Sequence, residues 1–279
     1  CVSGGLDSFT AIQYARLQFC KERDIDFDKD VVLLFIASQD LLNLKEFSIY
    51  KNLAMSYGYY DNTEFIALEN YENLVKGENS HVVLGRNAVI ASIAAGMAET
   101  IWICGTAFED NIGMYDKNTE FFIRMSEALT YACKYLGRQR TFIESPFQGQ
   151  IYPNRAFRYP YMEKTDMIVW LEEQGIKDWR LTTSCFHPTN MRCGSCIVCG
   201  KRFIYEKYVE LTENIIFDEN RELRDTYFLD PLKNEQLLET FEKMMNGNDY
   251  NRYHPFRIKM YKTVLDYYAE KETRKIENV

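Results

Sequence analysis

The sequence predicts a doubly wound α/β fold with a mainly parallel sheet, joined to a helical C-terminal extension. Two features carry the first part. Short apolar runs rich in β-branched residues alternate with helix-like stretches through the first half of the chain, and a glycine-rich turn stands between the first run and the first helix. A third carries the second part: from about residue 206 the βα alternation stops, and Tyr, Phe, Glu and Lys become frequent. The expected domains are therefore residues 1–205, an α/β domain that includes a cysteine-bearing loop at 185–199, and the helical extension 206–279.

Each element has its own signal. Val2 reads as the end of a buried strand and Phe9 to Cys20 as the helix after it. The turn Ser3-Gly4-Gly5 between them is expected to exploit the ease with which glycine reaches φ > 0. Val31 to Ala37 is a continuous apolar run, short and partly β-branched, as in a parallel strand covered on both faces. A helix at about 43–57 ends near Gly58, and Glu64 to Leu68 makes the next strand. An Ala-rich helix over Asn87 to Glu99 precedes the strand Ile101 to Cys104; a helix at about 119–136 precedes the strand Thr141 to Glu144. Another helix follows Pro160 and ends near Gly175. Such repeated units imply right-handed crossovers and a ligand site beyond the carboxyl ends of the strands. Pro231 and Pro255 punctuate two further helices, at about 232–245 and 256–274. The second spaces Met260, Tyr261, Val264, Leu265 and Tyr268 along one side, a stripe that reads as core or dimer surface.

Composition limits the function classes. The chain has 279 residues, 46% hydrophobic and 27% charged, with a formal net charge of −8 and a pI near 5.1. That acidity weighs against a large nucleic-acid footprint. No apolar run reaches membrane-span length and no signal peptide is visible, so no membrane partner is expected, and the cysteine usage suggests a reducing cytoplasm. The sequence opens at Cys1 within an apparent strand, and an upstream piece is expected to precede it. Cys1 runs straight into the glycine turn and reads as a strand residue rather than an N-terminal nucleophile.

The Ser3–Ser8 stretch, SGGLDS, is a strand–loop–helix corner. Its N–H groups and the helix dipole would converge on an anion, with Ser3 and Ser8 as extra donors and Asp7 orienting them or holding a phosphate-bound metal. It lacks the Gly-Lys-Ser/Thr ending of a Walker loop. Gly85-Arg86-Asn87 opens the Ala-rich helix, with Asn87 as a candidate N-cap and Arg86 suited to a carboxylate or phosphate. Gly105 to Asp110 and Asn111 to Asp116 supply carboxylates in a strand-end loop, and Lys164 follows Pro160. Cysteines stand at 1, 20, 104, 133, 185, 193, 196 and 199, the last four clustered. That pattern suggests a metal site in a reducing compartment more than a disulfide framework. Cys185, Cys193, Cys196 and Cys199 suit a closed tetrahedral zinc site; an iron–sulfur cluster also takes four cysteines, and zinc is the preferred reading.

SGGLDS resembles the PP-loop of ATP pyrophosphatases, which implies the adenine nucleotide α-hydrolase-like fold and cleavage of ATP between the α and β phosphates. The ordered set Ser3–Ser8, Gly85-Arg86-Asn87, Glu109-Asp110 through Asp116 to Glu120-Phe121, and Cys185 with Cys193, Cys196 and Cys199 resembles the QueC family, the 7-cyano-7-deazaguanine synthases. Arg202 and Lys164 also fit, and the resemblance spans roughly residues 2–205. It implies an AMP-forming C–N ligase that adenylates 7-carboxy-7-deazaguanine, captures ammonia as an amide and dehydrates the amide to a nitrile. ATP with Mg²⁺ would lie on Ser3, Gly4, Gly5, Leu6, Asp7 and Ser8, with Phe35 and Gly105 alongside. Asp7, Arg86 and Lys164 would be catalytic. Gly85, Arg86, Asn87, Asp110, Asp116 and Phe121 (or Phe108 as the apolar wall) would bind the base. Zinc would be structural, and the resemblance implies a homodimer.

Two departures stand out. Ala37-Ser38-Gln39-Asp40-Leu41 replaces a Tyr-Gly-Gln-Arg-His-like segment, and Lys117-Asn118 replaces a Cys-Arg pair. They allow a paralogue that stops at the amide, or one that joins the deazaguanine to a protein amine in antiphage defence, with the extension as docking surface. A tRNA-modifying PP-loop enzyme and a zinc-stabilised nucleotide-binding scaffold are the competing readings.

Overall fold

The computed structural model describes residues 1–37, 41–68, 85–107, 115–153, 155, 158–183, 185, 197–213, 215 and 255–277, and elements are numbered over these. The chain divides into two compact units: residues 1–163 with 176–183, and residues 164–175 with 184–279.

In the first unit, β1 (Leu33–Ala37) pairs in parallel with β2 (Thr63–Ala67), Leu33 opposite Thr63. Likewise β3 (Thr100–Trp102) pairs in parallel with β4 (Phe142–Glu144), Thr100 opposite Phe142. Val2 joins the two pairs. Its N–H donates to Leu34 O at 2.9 Å, it bridges Phe35 in parallel, and the nitrogen of Cys1 donates to Trp102 O at 2.7 Å. The spatial order is thus β2, β1, Val2, β3, β4. Chain order reverses at Val2, which makes the residues after it the switch point of a doubly wound sheet.

The helices follow the expected alternation with shifted ends. α1 (Leu6–Tyr14) starts three residues before the expected Phe9 and passes into a π turn at Ala15–Phe19. α2 (Phe27–Asp30) is a single short turn capped by Asp26, whose side chain accepts from Asp28 N. α3 (Leu41–Ser56), α4 (Arg86–Ala95) and α5 (Thr119–Ala132) match the remaining expectations for this unit, and Asn118 Oδ1 caps α5 by accepting from Phe121 N at 2.8 Å. The helices cover the sheet with two apolar clusters. One gathers Ala91, Ala95, Ile101, Phe122, Leu129 and Ile143; the other gathers Ile12, Leu33, Phe35, Tyr50, Ala54 and Tyr59. Each fully buried large side chain here contributes about 1.5–3 kcal/mol relative to exposure.

Tyrosines within the second cluster make stability pH-dependent. Burial pushes Tyr50 up to about 12, partly offset by its 2.7 Å hydrogen bond with Thr63, and burial with Asp178 nearby pushes Tyr57 up to about 12. Unfolded tyrosine titrates near ~10, so stability is flat below about pH 10 and falls from there towards about 12, where the folded groups ionise. Urea midpoints measured across that window should drop, and Tyr50→Phe should flatten the drop. A midpoint constant to about pH 11.5 contradicts this account.

The second unit comprises α6 (Lys164–Glu173), α7 (Ile197–Glu213) and α8 (Pro255–Glu277). Ring pairs Phe203–Tyr268 and Tyr208–Phe256 join α7 to α8. The aromatic stripe is core within this unit, with Met260, Tyr261 and Val264 at 0–1% exposure. Arg202 Nε and Glu206 Oε1 form a buried 2.7 Å pair on α7. The boundary expected at 205/206 falls inside α7, because one continuous helix crosses it. The helix expected at 232–245 lies outside the described residues.

Candidate functional site: a glycine-rich turn at the sheet reversal

The turn after Val2 is tight for a different reason than the sequence suggests. Neither Gly4 nor Gly5 adopts a positive φ; Gly5, the N-cap of α1, is extended at φ −83° and ψ 160°. What excludes a side chain is proximity. A Cβ on Gly4 would stand 2.7 Å from Glu46 O and 3.2 Å from Glu46 Cα, backbone atoms of α3. Gly4 O also accepts from Thr183 N at 2.9 Å, so the turn is held between two segments of the unit.

The hydroxyls expected to assist do converge. Ser3 Oγ lies 3.1 Å from Ser8 Oγ and accepts from Gly5 N at 3.2 Å. Phe9 N makes the first bond inside α1, to Gly5 O, so the N–H groups of Leu6 and Ser8 in the preceding turn have no acceptor within the helix. Asp7 stands half-buried in that first turn. The side chain of Leu6 is core at 1% exposure, leaving its backbone for a ligand. Phe35 needs a correction. Its ring is 1% exposed and packed on Phe47, Tyr50 and Phe65, so it serves the core and offers a nucleotide no face.

A second group of expected residues meets around α4 and α5. Gly85 is the N-cap of α4 at φ 69°, a left-handed conformation that favours glycine. Asn87 is therefore not the N-cap. It sits inside the first turn, buried, and its Nδ2 donates at 3.0 Å to both Asp116 O and Asp116 Oδ2. Arg86 beside it is exposed. Phe121 packs on Phe122 at the margin of the first apolar cluster, a supporting place more than a binding wall.

The carboxyl ends of β3 and β4 are tied together by groups the sequence did not single out. Ser145 Oγ donates to Gly105 O at 2.6 Å and accepts from Gly105 N at 3.1 Å. Gln148 Nε2 donates to Thr106 O and Lys117 O, each at 3.0 Å. A Cβ on Gly105 would fall 2.5 Å from that Nε2 and 3.0 Å from Lys117 O, which explains the glycine. Lys45 is a further group without a sequence signal: it is 5% exposed on α3, next to the Glu46 that backs Gly4.

Asp110, Phe108, Cys193 and Cys196 lie outside the described residues. Lys164, Cys185 and Cys199 belong to the second unit, and both cysteines are 2% exposed. Among the described residues no group of three His, Cys, Asp or Glu is placed to hold a metal, and no helix is long and apolar enough to cross a membrane. A cavity of about 270 Å³ is lined by Cys1 and Val2, the later part of α1, the π turn after it, and residues of β1 and β3, including Ala15, Phe19, Leu33 and Trp102. It is mainly apolar and none of Ser3 to Ser8 lines it, so it is not the anion site.

A parallel sheet whose reversal point carries a Ser-Gly-Gly-Leu-Asp-Ser turn, leading into a helix N-terminus, defines an α/β protein of the PP-loop class. The profile of the family described as queuosine biosynthesis protein QueC matches residues 1–206, and the chain belongs to that family, one of ATP-dependent synthases. No curated protein and no solved structure matches the chain.

Proposed function

We propose that this protein is an AMP-forming ligase that adenylates the carboxylate of 7-carboxy-7-deazaguanine and passes the acyl group to an amine. The observation that carries the reading is the Ser3–Ser8 turn at the sheet reversal, in a chain of this family. A carboxylate is a poor acyl donor because its leaving group would be an oxide. In the proposed reaction its oxygen attacks the α-phosphate of ATP, and pyrophosphate leaves. The amine then attacks the acyl adenylate and AMP departs with the former carboxylate oxygen, giving an amide. Repetition on the amide oxygen, with loss of the N–H protons, gives the nitrile.

In this reading, the N–H groups of the first turn of α1, with Ser3 and Ser8, hold the departing pyrophosphate. Such preorganised donors are worth most where water is excluded. Asp7 would hold Mg²⁺, an ion that supplies charge neutralisation to phosphate when bound. Arg86 neutralises charge on the carboxylate or phosphate, and Asp116, oriented by Asn87, accepts from the guanine-like edge of the base. Cys185, Cys193, Cys196 and Cys199 would hold a structural zinc. The burial of both Cys185 and Cys199 supports that donor set, and a bound zinc would cross-link the chain between them. A cytoplasmic homodimer is proposed with it.

One observation favours a second reading, in which the acceptor is a protein amine or the reaction stops at the amide. At Lys117-Asn118, where the resemblance leads one to expect Cys-Arg, the side chain of Asn118 caps α5. Helix α8 also lies beyond the family match and would be available as a docking element. Mass spectrometry of a reaction containing ATP, Mg²⁺, 7-carboxy-7-deazaguanine and ammonium separates the two. Free nitrile with two AMP supports the synthase; amide alone, or added mass on a protein, supports the second reading; and no AMP rejects both.

A further inference from the structure

We propose that Gln148 is a positioning residue of the site: its carboxamide locks the turn after β3 to the start of α5, and so fixes the carboxylate of Asp116. The inference rests on the proposed reading in one respect only, that Asp116 meets the base.

The geometry is specific. Gln148 is 9% exposed and sits just past β4, where it bridges Tyr161 in antiparallel fashion. Both hydrogen-bond donors of its amide are used, on Thr106 O and Lys117 O. That assignment of the amide is not interchangeable with its flip, which would set an oxygen against two carbonyl oxygens. The two acceptors belong to different segments: Thr106 follows Gly105 at the end of β3, and Lys117 follows Asp116. Asn87 grips Asp116 from the other side, through its carbonyl and one carboxylate oxygen. Asp116 is thus clamped at its own residue and at the next, and Oδ2 is aligned by an amide donor. Thr106 is fully buried and also fixed through its neighbour Gly105 by Ser145, so the anchor of the clamp is rigid.

A second, independent feature points to a ligand. Gln148 Oε1 is buried and, among the described residues, has no hydrogen-bond partner, which is uncommon for a buried acceptor. With Nε2 committed to two carbonyls, Oε1 is the acceptor that an N–H of a bound base would complete, directly or through an ordered water. The clamp would therefore tighten when the base binds.

The test uses Gln148→Met, which keeps the length and loses the donors, beside Asn87→Ala and the wild type. Hydrogen exchange followed by mass spectrometry should show faster exchange in peptides covering 105–107 and 115–120 for Gln148→Met, with the rest of the first unit unchanged. In AMP-release assays, the KM for 7-carboxy-7-deazaguanine should rise roughly tenfold in either variant, with the KM for ATP within about twofold. Discrimination against the analogue lacking the 2-amino group should fall in parallel. The double variant should be little worse than either single one, since both act through Asp116. Unchanged exchange in those peptides overturns the clamp whatever the substrate. Equal rises in both KM values overturn its link to the base. A wild type that forms no AMP from this substrate instead overturns the proposed reaction, and the exchange result still decides the clamp.

Discussion

Asp7→Ala is expected to lower AMP formation on the order of a thousandfold while leaving the fold and the zinc content intact. The separation of those effects follows from where Asp7 stands. It is half-buried in the first turn of α1, a helix otherwise anchored by Leu6, Phe9 and Ile12 at 1–2% exposure. A carboxylate there gains about 0.3–1 kcal/mol from the helix N-terminus, so its loss barely moves Tm. In the proposed reaction its chemical contribution would be larger, because a residue that holds a phosphate-bound cation acts on charge that develops as pyrophosphate leaves. Asp7→Asn, which preserves shape, should be nearly as inactive. AMP release measured beside a thermal melt settles the matter; turnover within tenfold of wild type defeats the cradle.

Gly4→Ala is expected to be strongly damaging for a single added methyl group. The added carbon would meet the backbone oxygen and Cα of Glu46, neither of which can move without shifting α3. The turn cannot retreat easily either, since Gly4 O is held by Thr183 N. Overpacking against backbone on this scale costs about 2–4 kcal/mol. The displaced turn would also misplace Ser3 and Ser8, so AMP formation should fall by more than about a hundredfold even at temperatures where the variant is folded. Gly5→Ala is the control: its nearest neighbours are Ser3 Oγ at 3.3 Å and Thr183 O at 3.7 Å, and it should be milder. Equal effects at the two positions would show that the close approach to α3 does not matter.

How much of this was legible in the sequence depended on the range of the interaction. Strands and helices declared themselves because their signals are local: the run Val31–Ala37 could hardly be anything but a covered strand, and β1 spans Leu33–Ala37. The convergence of Ser3 and Ser8 was legible for the same reason, since five residues separate them. Errors arose where a residue type had two physical uses. Glycine in a turn suggested positive φ, but Gly4 is there for want of space. Asn at a helix start suggested a cap, but Gly85 takes that place and Asn87 reaches Asp116, 29 residues away. Phe35 was expected beside the nucleotide, but it is the central residue of β1 and is packed within a cage of rings. Gln148 gave no signal at all: its partners are main-chain carbonyls from two other segments, and carbonyls leave no mark in a sequence. The buried pairing of Glu144 with Arg155 at 3.0 Å and with Tyr159 at 2.5 Å was hidden likewise, since it depends on the path of the intervening chain.

The position of Val2 has a temporal consequence. The strand that carries the glycine-rich turn precedes both of its neighbours in the chain, and the partner on one side, Trp102, is separated from Cys1 by 101 positions. On a ribosome, this segment would emerge long before β3 exists to flank it, and loop closure over such a separation is slow compared with local helix formation. Until then β1 can line only one side of it. The turn therefore acquires its second wall late, once β3 has been synthesised, and a fragment released before that point would carry the complete turn without that flank.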